Sequence, residues 1–213
     1  MAYTTVNKST DYFNIKLYTG NGSAGHAITG VGFAPDWTWI KNKGASAHHT
    51  VFDRVRGATK AIYTNQTDAE TTVSGHITAF GSDGFTLGDN SGKGSTNENG
   101  ATYVAWNWRA AGSTGSANSN GTISSTVSAN TTAGFSIVSY AGNSTAGATV
   151  GHGLSSAPTW IIGKNRTDAD SWFMYHGSLG GGSTMSFNNS NAKDNNTAFW
   201  NNTSPSNTVF TLG

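Results

Sequence analysis

The sequence predicts an all-β protein of β-sandwich type, built from two internal repeats. Three observations lead there. The stretch Gly30-Val-Gly-Phe-Ala-Pro-Asp-Trp-Thr-Trp-Ile-Lys-Asn-Lys43 returns, altered, as Gly151-His-Gly-Leu-Ser-Ser-Ala-Pro-Thr-Trp-Ile-Ile-Gly-Lys-Asn165. Phe85-Thr-Leu-Gly88 returns letter for letter as Phe210-Thr-Leu-Gly213, at nearly the same separation, and repetition at a fixed offset is a statement about architecture. Finally, no window shows helical spacing with caps, while short alternating runs bounded by Gly, Asn and Ser turns recur throughout.

The elements follow in order. In Tyr12-Phe-Asn-Ile-Lys-Leu-Tyr18 the apolar Phe13, Ile15 and Leu17 alternate with Asn14 and Lys16, the mark of a strand with one wet face. Gly20-Asn-Gly22 breaks it with residues that tolerate positive φ. His26-Ala-Ile-Thr29 is a short strand, and the turn from Gly30 to Pro35 leads into Trp37-Thr-Trp-Ile-Lys41. Trp37 and Trp39 share a face, and their counterparts Trp160 and Ile162 are both apolar, so that face is expected to be core rather than a sugar platform. Thr50–Asp53, Ala61–Tyr63, His76–Phe80 and Phe85–Leu87 are further short strands. Tyr103-Val-Ala-Trp-Asn-Trp-Arg109 closes the first unit, with Val104, Trp106 and Trp108 expected in the core.

Ala111–Gly121 consists of small residues with little to bury and reads as a linker. Residues 1–111 are then the first unit, 112–122 the Gly/Ser linker and 123–213 the second unit. A single interleaved lectin-like sandwich over 1–213 is the competing layout. After the linker the pattern restarts. Thr126-Val127 mirrors Thr5-Val6, Phe135–Tyr140 mirrors Phe13–Tyr18, and Thr197-Ala-Phe199 answers Thr78-Ala-Phe80, followed by an inserted loop from Trp200 to Pro205. The second unit stops at Gly213 and has no counterpart of Tyr103–Arg109. A sheet lacking that strand would have an open edge beside Val209–Leu212, and open edges invite pairing. Either the chain is the ordered part of a longer one, or the gap is filled by the N-terminal segment or a neighbouring subunit. Filling in trans within a homo-oligomer is the expectation.

Composition narrows the function. Only 11% of the 213 residues are charged and 35% are hydrophobic, the balance being Gly, Ser, Thr and Asn, which suits turn-rich β structure. Seven Trp, seven Tyr and ten Phe argue against disorder. A net charge of +1 without a basic run leaves no footprint for nucleic acid. With no cysteine, disulfides and thiolate chemistry are excluded, which fits assembly in a reducing cytoplasm. The opening residues lack the apolar segment of a signal peptide, and no apolar run approaches membrane-spanning length.

Tyr18-Thr-Gly-Asn-Gly22, the Gly-Phe-x-Pro-Asp-Trp-x-Trp-Ile-Lys stretch ending at Lys41, Phe52-Asp-x-Val-Arg-Gly57, Ser82–Gly88 and Tyr103–Trp108 resemble a family of virion proteins of tailed bacteriophages, marine ones in particular. The similarity spans nearly the whole chain from Met1-Ala-Tyr-Thr-Thr5, and relatives continue past the point matching Gly213. It implies a structural component of the particle, of the tail-fibre, appendage or capsid-decoration type, with a concanavalin-like or jelly-roll β-sandwich. Its partners would be other virion proteins and further copies of itself, and its location the virion, assembled in the host cytoplasm. The resemblance carries no catalytic or binding signature.

The residues themselves offer little catalysis, and no enzyme is expected. His48-His49 is the one adjacent His pair, and neighbours on a strand face opposite ways, so they are poor joint metal ligands. A carboxylate pair for glycoside hydrolysis would come from residues such as Asp53, Asp83 or Glu98, and no spacing brings two together. No cofactor is expected. Calcium stays open at Asp83-Gly84 and Asp89–Glu98, whose oxygen-rich letters are equally ordinary turn formers. The Asn-x-Ser/Thr triplets at Asn21, Asn65 and Asn143 follow from composition. Recognition falls instead on Trp172 and Trp200, which the first unit does not share. A Trp among Asn and Thr suits stacking on a host-surface glycan, contact with a neighbouring subunit, or packing within the chain. The leading function is a structural protein acting through protein surfaces; the alternative is a carbohydrate-binding module.

Overall fold

The structure, a computed structural model, describes residues 6–213. Met1-Ala-Tyr-Thr-Thr5, and with it the Thr5 that Thr126 mirrors, lies outside the described residues. A 3-10 turn at Ser9–Asp11 precedes β1 (Phe13–Thr19), β2 (His26–Thr29), β3 (Trp37–Asn42), β4 (Thr50–Asp53), β5 (Gly57–Tyr63), β6 (Thr71–Thr72), β7 (Ile77–Phe80), β8 (Gly84–Leu87) and β9 (Thr102–Trp108). After them come β10 (Ser116–Asn118), β11 (Ser125–Asn130), β12 (Phe135–Tyr140), β13 (Thr149–Gly151), β14 (Trp160–Gly163), β15 (Phe173–His176), β16 (Met185–Ser186) and β17 (Val209–Thr211). The protein is all-β, and the named strands pair antiparallel.

In the N-terminal half a six-stranded sheet, ordered β1-β9-β3-β4-β5-β6, faces a three-stranded one, ordered β2-β8-β7. Their shared core contains Ile28, Phe85, Leu87 and Ile77 from the small sheet and Ile40, Phe52, Tyr63, Tyr103 and Ala105 from the large one. Here the expected facing of the tryptophans is corrected. On β3 the fully buried positions are Thr38, Ile40 and Asn42, and on β9 they are Tyr103, Ala105 and Asn107. Trp37, Trp39, Trp106 and Trp108 occupy the opposite face of the same strands and are only half-buried. Period-two alternation says which residues share a face, not which face is inward, and a sheet covered on both sides has two apolar faces. The inner polar residues are satisfied: Thr38 Oγ1 donates to Asn107 Oδ1 at 2.9 Å, and Asn42 Oδ1 accepts from the Gly44 and Ala45 N–H groups.

The C-terminal half repeats these pairings in part. Trp160 lies opposite His176 as Trp37 lies opposite Asp53, and Val150 opposite Phe210 as Ile28 opposite Phe85. Lys41 and Lys164 each donate to the carbonyl of the following Asn at 2.6 Å. The core of this half is Ile123, Ala148, Val150, Tyr175, Trp200 and Phe210. Each sheet of the described residues draws its strands from one side of Ala111 alone.

Two further expectations change. The Gly/Ser stretch is not free chain: Ser116–Asn118 pairs with β11, because main-chain hydrogen bonds along a sheet edge need no apolar side chain. The Gly213 N–H bonds the Phe199 carbonyl as the Gly88 N–H bonds that of His76, so Phe199 stands at the place of His76, not of Phe80. Trp200 follows in the turn over 197–202, and its indole is in the core. As for β17, it is paired with β13, as β8 is with β2, but the described residues give it no counterpart of β7, which flanks β8 on its other side, so the edge expected beside Val209 carries no strand. The partners of β9 are β1 and β3, and their counterparts are β12 and β14. These end two separate sheets, β10-β11-β12 and β14-β15-β16.

Candidate functional site

An aromatic cleft of about 500 Å³ opens where β12 and β14 face one another. Its floor is the outer face of the six-stranded sheet. The β3–β9 register sets Trp37 opposite Trp108 and Trp39 opposite Trp106, so alternate residues of two neighbouring strands build a patch of four indoles. Trp39 and Trp106 meet at 5.5 Å between ring centroids, and Trp108 stacks on Phe135 of β12 at 6.3 Å. The walls are β12 and the whole of β14, and Trp200 and Phe210 of the C-terminal core reach the cleft from the other side. The cleft is thus lined from the outer face of the six-stranded sheet to Trp200 and Phe210 of the C-terminal core.

Beside the cleft the two halves are joined. Trp172 packs against Val51, Ile62 and Phe187, and its Nε1–H donates to the Tyr63 carbonyl at 2.9 Å. Glu70 receives the Arg166 guanidinium in bidentate fashion, at 2.9 and 3.0 Å, while Oε2 also accepts from Arg56 at 3.0 Å. Burial works to raise the Glu70 carboxyl pKa, but the hydrogen bonds from Arg166 and Arg56 outweigh it and hold the group below its ordinary value. Arg166 Nη1 reaches further, to Ser139 Oγ on β12 at 2.8 Å, and so spans the end of the cleft.

Of the residues picked out from sequence, Trp172 and Trp200 are 2% and 1% exposed. The expectation that they contact a glycan or another subunit is corrected: an indole enclosed on both faces by its own chain has no surface to offer, and both pack internally. Trp160, expected in the core, is 55% exposed at the cleft. Its counterpart Trp37 is covered because it pairs with β9 as well as β4, whereas Trp160 has a strand neighbour only at β15.

The polar candidates lie apart. Asp53 pairs with Arg56. Asp83 accepts the N–H groups of Gly30 (2.9 Å) and Gly32 (2.6 Å), both at positive φ, and so fixes the turn before β3. Those hydrogen bonds, that of Gly32 foremost, lower its pKa. Asp89 holds Ser91, and Glu98 contributes its N–H to the Tyr103 hydroxyl. The His48 ring packs on Tyr63 and the His49 N–H bonds Asn65. Asn21, Asn65 and Asn143 each accept a backbone N–H, two of them from the residue two places on. Among the described residues no three His, Asp or Glu side chains form a group able to hold a metal.

What the cleft offers is apolar area, two strand edges and two unmatched donors. The Nε1–H groups of Trp39 and Trp200, on its two sides, are buried without an acceptor among the described residues. A buried donor left unpaired costs about 1–3 kcal/mol. Sequence reading missed the cleft as a site. Its signals were present separately, in the unshared closing strand and in the paired tryptophans.

Neither the curated proteins nor the solved structures compared with the chain gave a match. One family model does match, over residues 8–213, and it spans both halves. The chain therefore belongs to the family described as Domain of unknown function (DUF7483).

Proposed function

We propose that the chain is a structural component of a bacteriophage particle, an appendage, fibre or decoration protein, acting through protein–protein surfaces. In this reading the described residues hold two copies of one jelly-roll-like β-sandwich. The matched pairings of β3–β4 with β14–β15 and of β2–β8 with β13–β17 support the two-copy layout, as do sheets that never mix strands from the two halves. The motifs shared with tailed-phage virion proteins support the particle.

The observation that carries an interaction role is the cleft. It joins a broad aromatic surface to two facing strand edges, a combination that suits another polypeptide. Other virion proteins and further copies of the chain are its natural partners. The test is immunogold labelling of purified particles produced from the genome that encodes the chain. Label at a regular site on every particle is the expected result. Unlabelled particles, with the chain left in the soluble lysate, would overturn the assignment.

One observation favours a second reading, a carbohydrate-binding module recognising host-surface glycans. Trp160 presents an open indole at the mouth of the cleft, as a sugar-stacking residue does. Glycan-array binding that is lost in Trp160→Ala would support it, and an array with no signal would remove it.

A further inference from the structure

We propose that the outer part of the cleft is an anchor pocket for an uncharged aromatic side chain of another polypeptide. The inference rests on the interaction role proposed above and gives it a place and a partner chemistry.

The chain itself shows how such a side chain is held. Trp39, Val51 and Ile62 stand in one row across β3, β4 and β5. Trp172, brought from a segment distant in sequence, packs on Val51 and Ile62 and donates its Nε1–H to the Tyr63 carbonyl. From this contact the rings continue toward the cleft: Trp172 to Phe187 at 6.3 Å, Phe187 to Trp39 at 5.9 Å and Trp39 to Trp106 at 5.5 Å. Trp172, Phe187 and Trp39 also line the cleft, so the interface between the halves and the cleft floor are one continuous surface. Ring pairs with centroids about 4.5–7 Å apart are favourable beyond the area they bury.

Farther along, that surface still has free ring area. Trp108 is engaged by Phe13 at 4.8 Å and by Phe135 at 6.3 Å. Trp37 on the floor and Trp160 on the wall have no ring partner among the described residues. Trp37 is half-buried and Trp160 is 55% exposed, so both keep area within reach of a guest ring. The enclosed Trp200 and Phe210 are not needed for the contact.

Charge sets the class of guest. Among the described residues the cleft is lined by no carboxylate. The Lys164 ammonium on its wall already donates to the carbonyls of Asn165 at 2.6 Å and Asp168 at 3.3 Å. The His152 ring accepts the Leu154 N–H at 3.1 Å, which keeps that nitrogen unprotonated. A charged guest would leave water without gaining a counter-ion, a cost that an uncharged ring does not meet.

A second copy of the chain is a poor donor. Ile15, Leu17 and Trp160 are the large apolar side chains exposed among the described residues, and the one ring among them is already part of the cleft wall. A free hydrocarbon has less to bond than a peptide does, because β12 and β14 each end a sheet and border the cleft with main-chain groups.

The experiment uses the full chain with its tryptophan indoles labelled with nitrogen-15. Capped tripeptides carrying tryptophan, leucine, glutamate or lysine between two glycines are titrated in turn, as are free indole and cellotriose. The tryptophan tripeptide should saturably shift the Nε1–H signals of Trp37 and Trp160 and leave that of Trp200 in place. It should bind about two- to tenfold more tightly than the leucine tripeptide, and neither charged tripeptide should bind. Trp160→Ala should weaken the tryptophan tripeptide by about the same factor, with unmoved Trp172 and Trp200 signals showing that the fold is kept.

The proposal is overturned if no saturable shift occurs, if the leucine or a charged tripeptide binds as tightly, or if Trp160→Ala binds as before. Free indole binding more tightly than the tripeptide would identify a small-molecule pocket instead. Cellotriose moving the same signals at lower concentration would transfer the cleft to the sugar reading. Shifts of Trp37 and Trp160 with protein concentration alone would make a second copy the occupant and remove the proposal. Particle labelling is independent of the cleft: labelled particles with a failed titration remove the anchor pocket and leave the structural role standing, and the reverse outcome does the opposite.

Discussion

Strands β3 and β14 start from the same Pro-x-Trp letters and end in different surroundings. β3 has β9 on one side and β4 on the other, and Trp37 at its start is half-buried in the interface between the halves. β14 has β15 on one side and a cleft on the other, and Trp160 at the same place is 55% exposed. Local sequence made both into strands with a shared register. A single neighbouring strand, β9, beside β3 and without a counterpart beside β14 among the described residues, decided whether the indole is packing material or surface. The comparison also separates the two inner cores. In one, Ile77 sits beside a buried His76 that bonds Thr96 at 2.6 Å; in the other, Phe199 and Trp200 take those places.

The most severe way to break the comparison is at Trp200. It touches Phe173, Tyr175 and Phe210, and Trp200→Ala should cost about 3–5 kcal/mol, a large share of the stability of a typical domain, about 5–15 kcal/mol. Chemical denaturation with hydrogen exchange should locate the loss in the C-terminal half. A loss below about 1 kcal/mol would mean that this half is held by the interface rather than by its own core.

Acid should act on the other half. Burial lowers the His76 pKa to about 4, so the folded state keeps this ring neutral while the unfolded chain takes up a proton below about 6.5. Stability from this group is complete above pH 6.5 and is lost as pH falls from there toward 4, by about 3 kcal/mol in all. Denaturation midpoints of the wild type and His76→Gln between pH 7.5 and 4.5 measure the slope, which should be shallower in the variant. Equal slopes would contradict the assignment.

The junction between halves comes next. Glu70→Ala removes the partner of Arg166 and one partner of the nearly buried Arg56, and should cost about 2 kcal/mol. Since Glu70 holds its charge below the ordinary pKa, the wild type should lose that contribution on acidification through its folded-state pKa, and the variant should not. If the two halves then exchange amides independently, Glu70–Arg166 is what couples them; unchanged exchange would assign the coupling to the tryptophans.

Trp160→Ala should be the mildest. An exposed residue without a special contact typically changes stability by no more than about 0.5 kcal/mol. A larger loss, read by thermal denaturation, would show the indole covered in solution.

Much of this was legible in the letters. The recurring Pro-Trp-Ile-Lys and Phe-Thr-Leu-Gly stretches marked strands that keep their registers, and Asn42 and Asn165 build the same turn after them because an Asx side chain caps the next N–H groups wherever it stands. Three things could not be read there. Alternation placed Trp37 and Trp39 on one face without saying that the inner face belongs to Thr38, Ile40 and Asn42. Trp172 and Trp200 look like surface residues among Asn and Thr, yet are buried by partners distant in sequence. The sheet ends at β12 and β14 depended on which strand pairs with which, since β9 closes the first half from between β1 and β3 and not from beside β8. Sequence by itself determined the strands, their turns and the repetition, because these follow from short-range sterics and hydrogen bonding. Which face is inside, which tryptophan is covered and where the cleft lies were decided by the tertiary structure, because burial and strand order come from contacts between segments that the chain order does not encode locally.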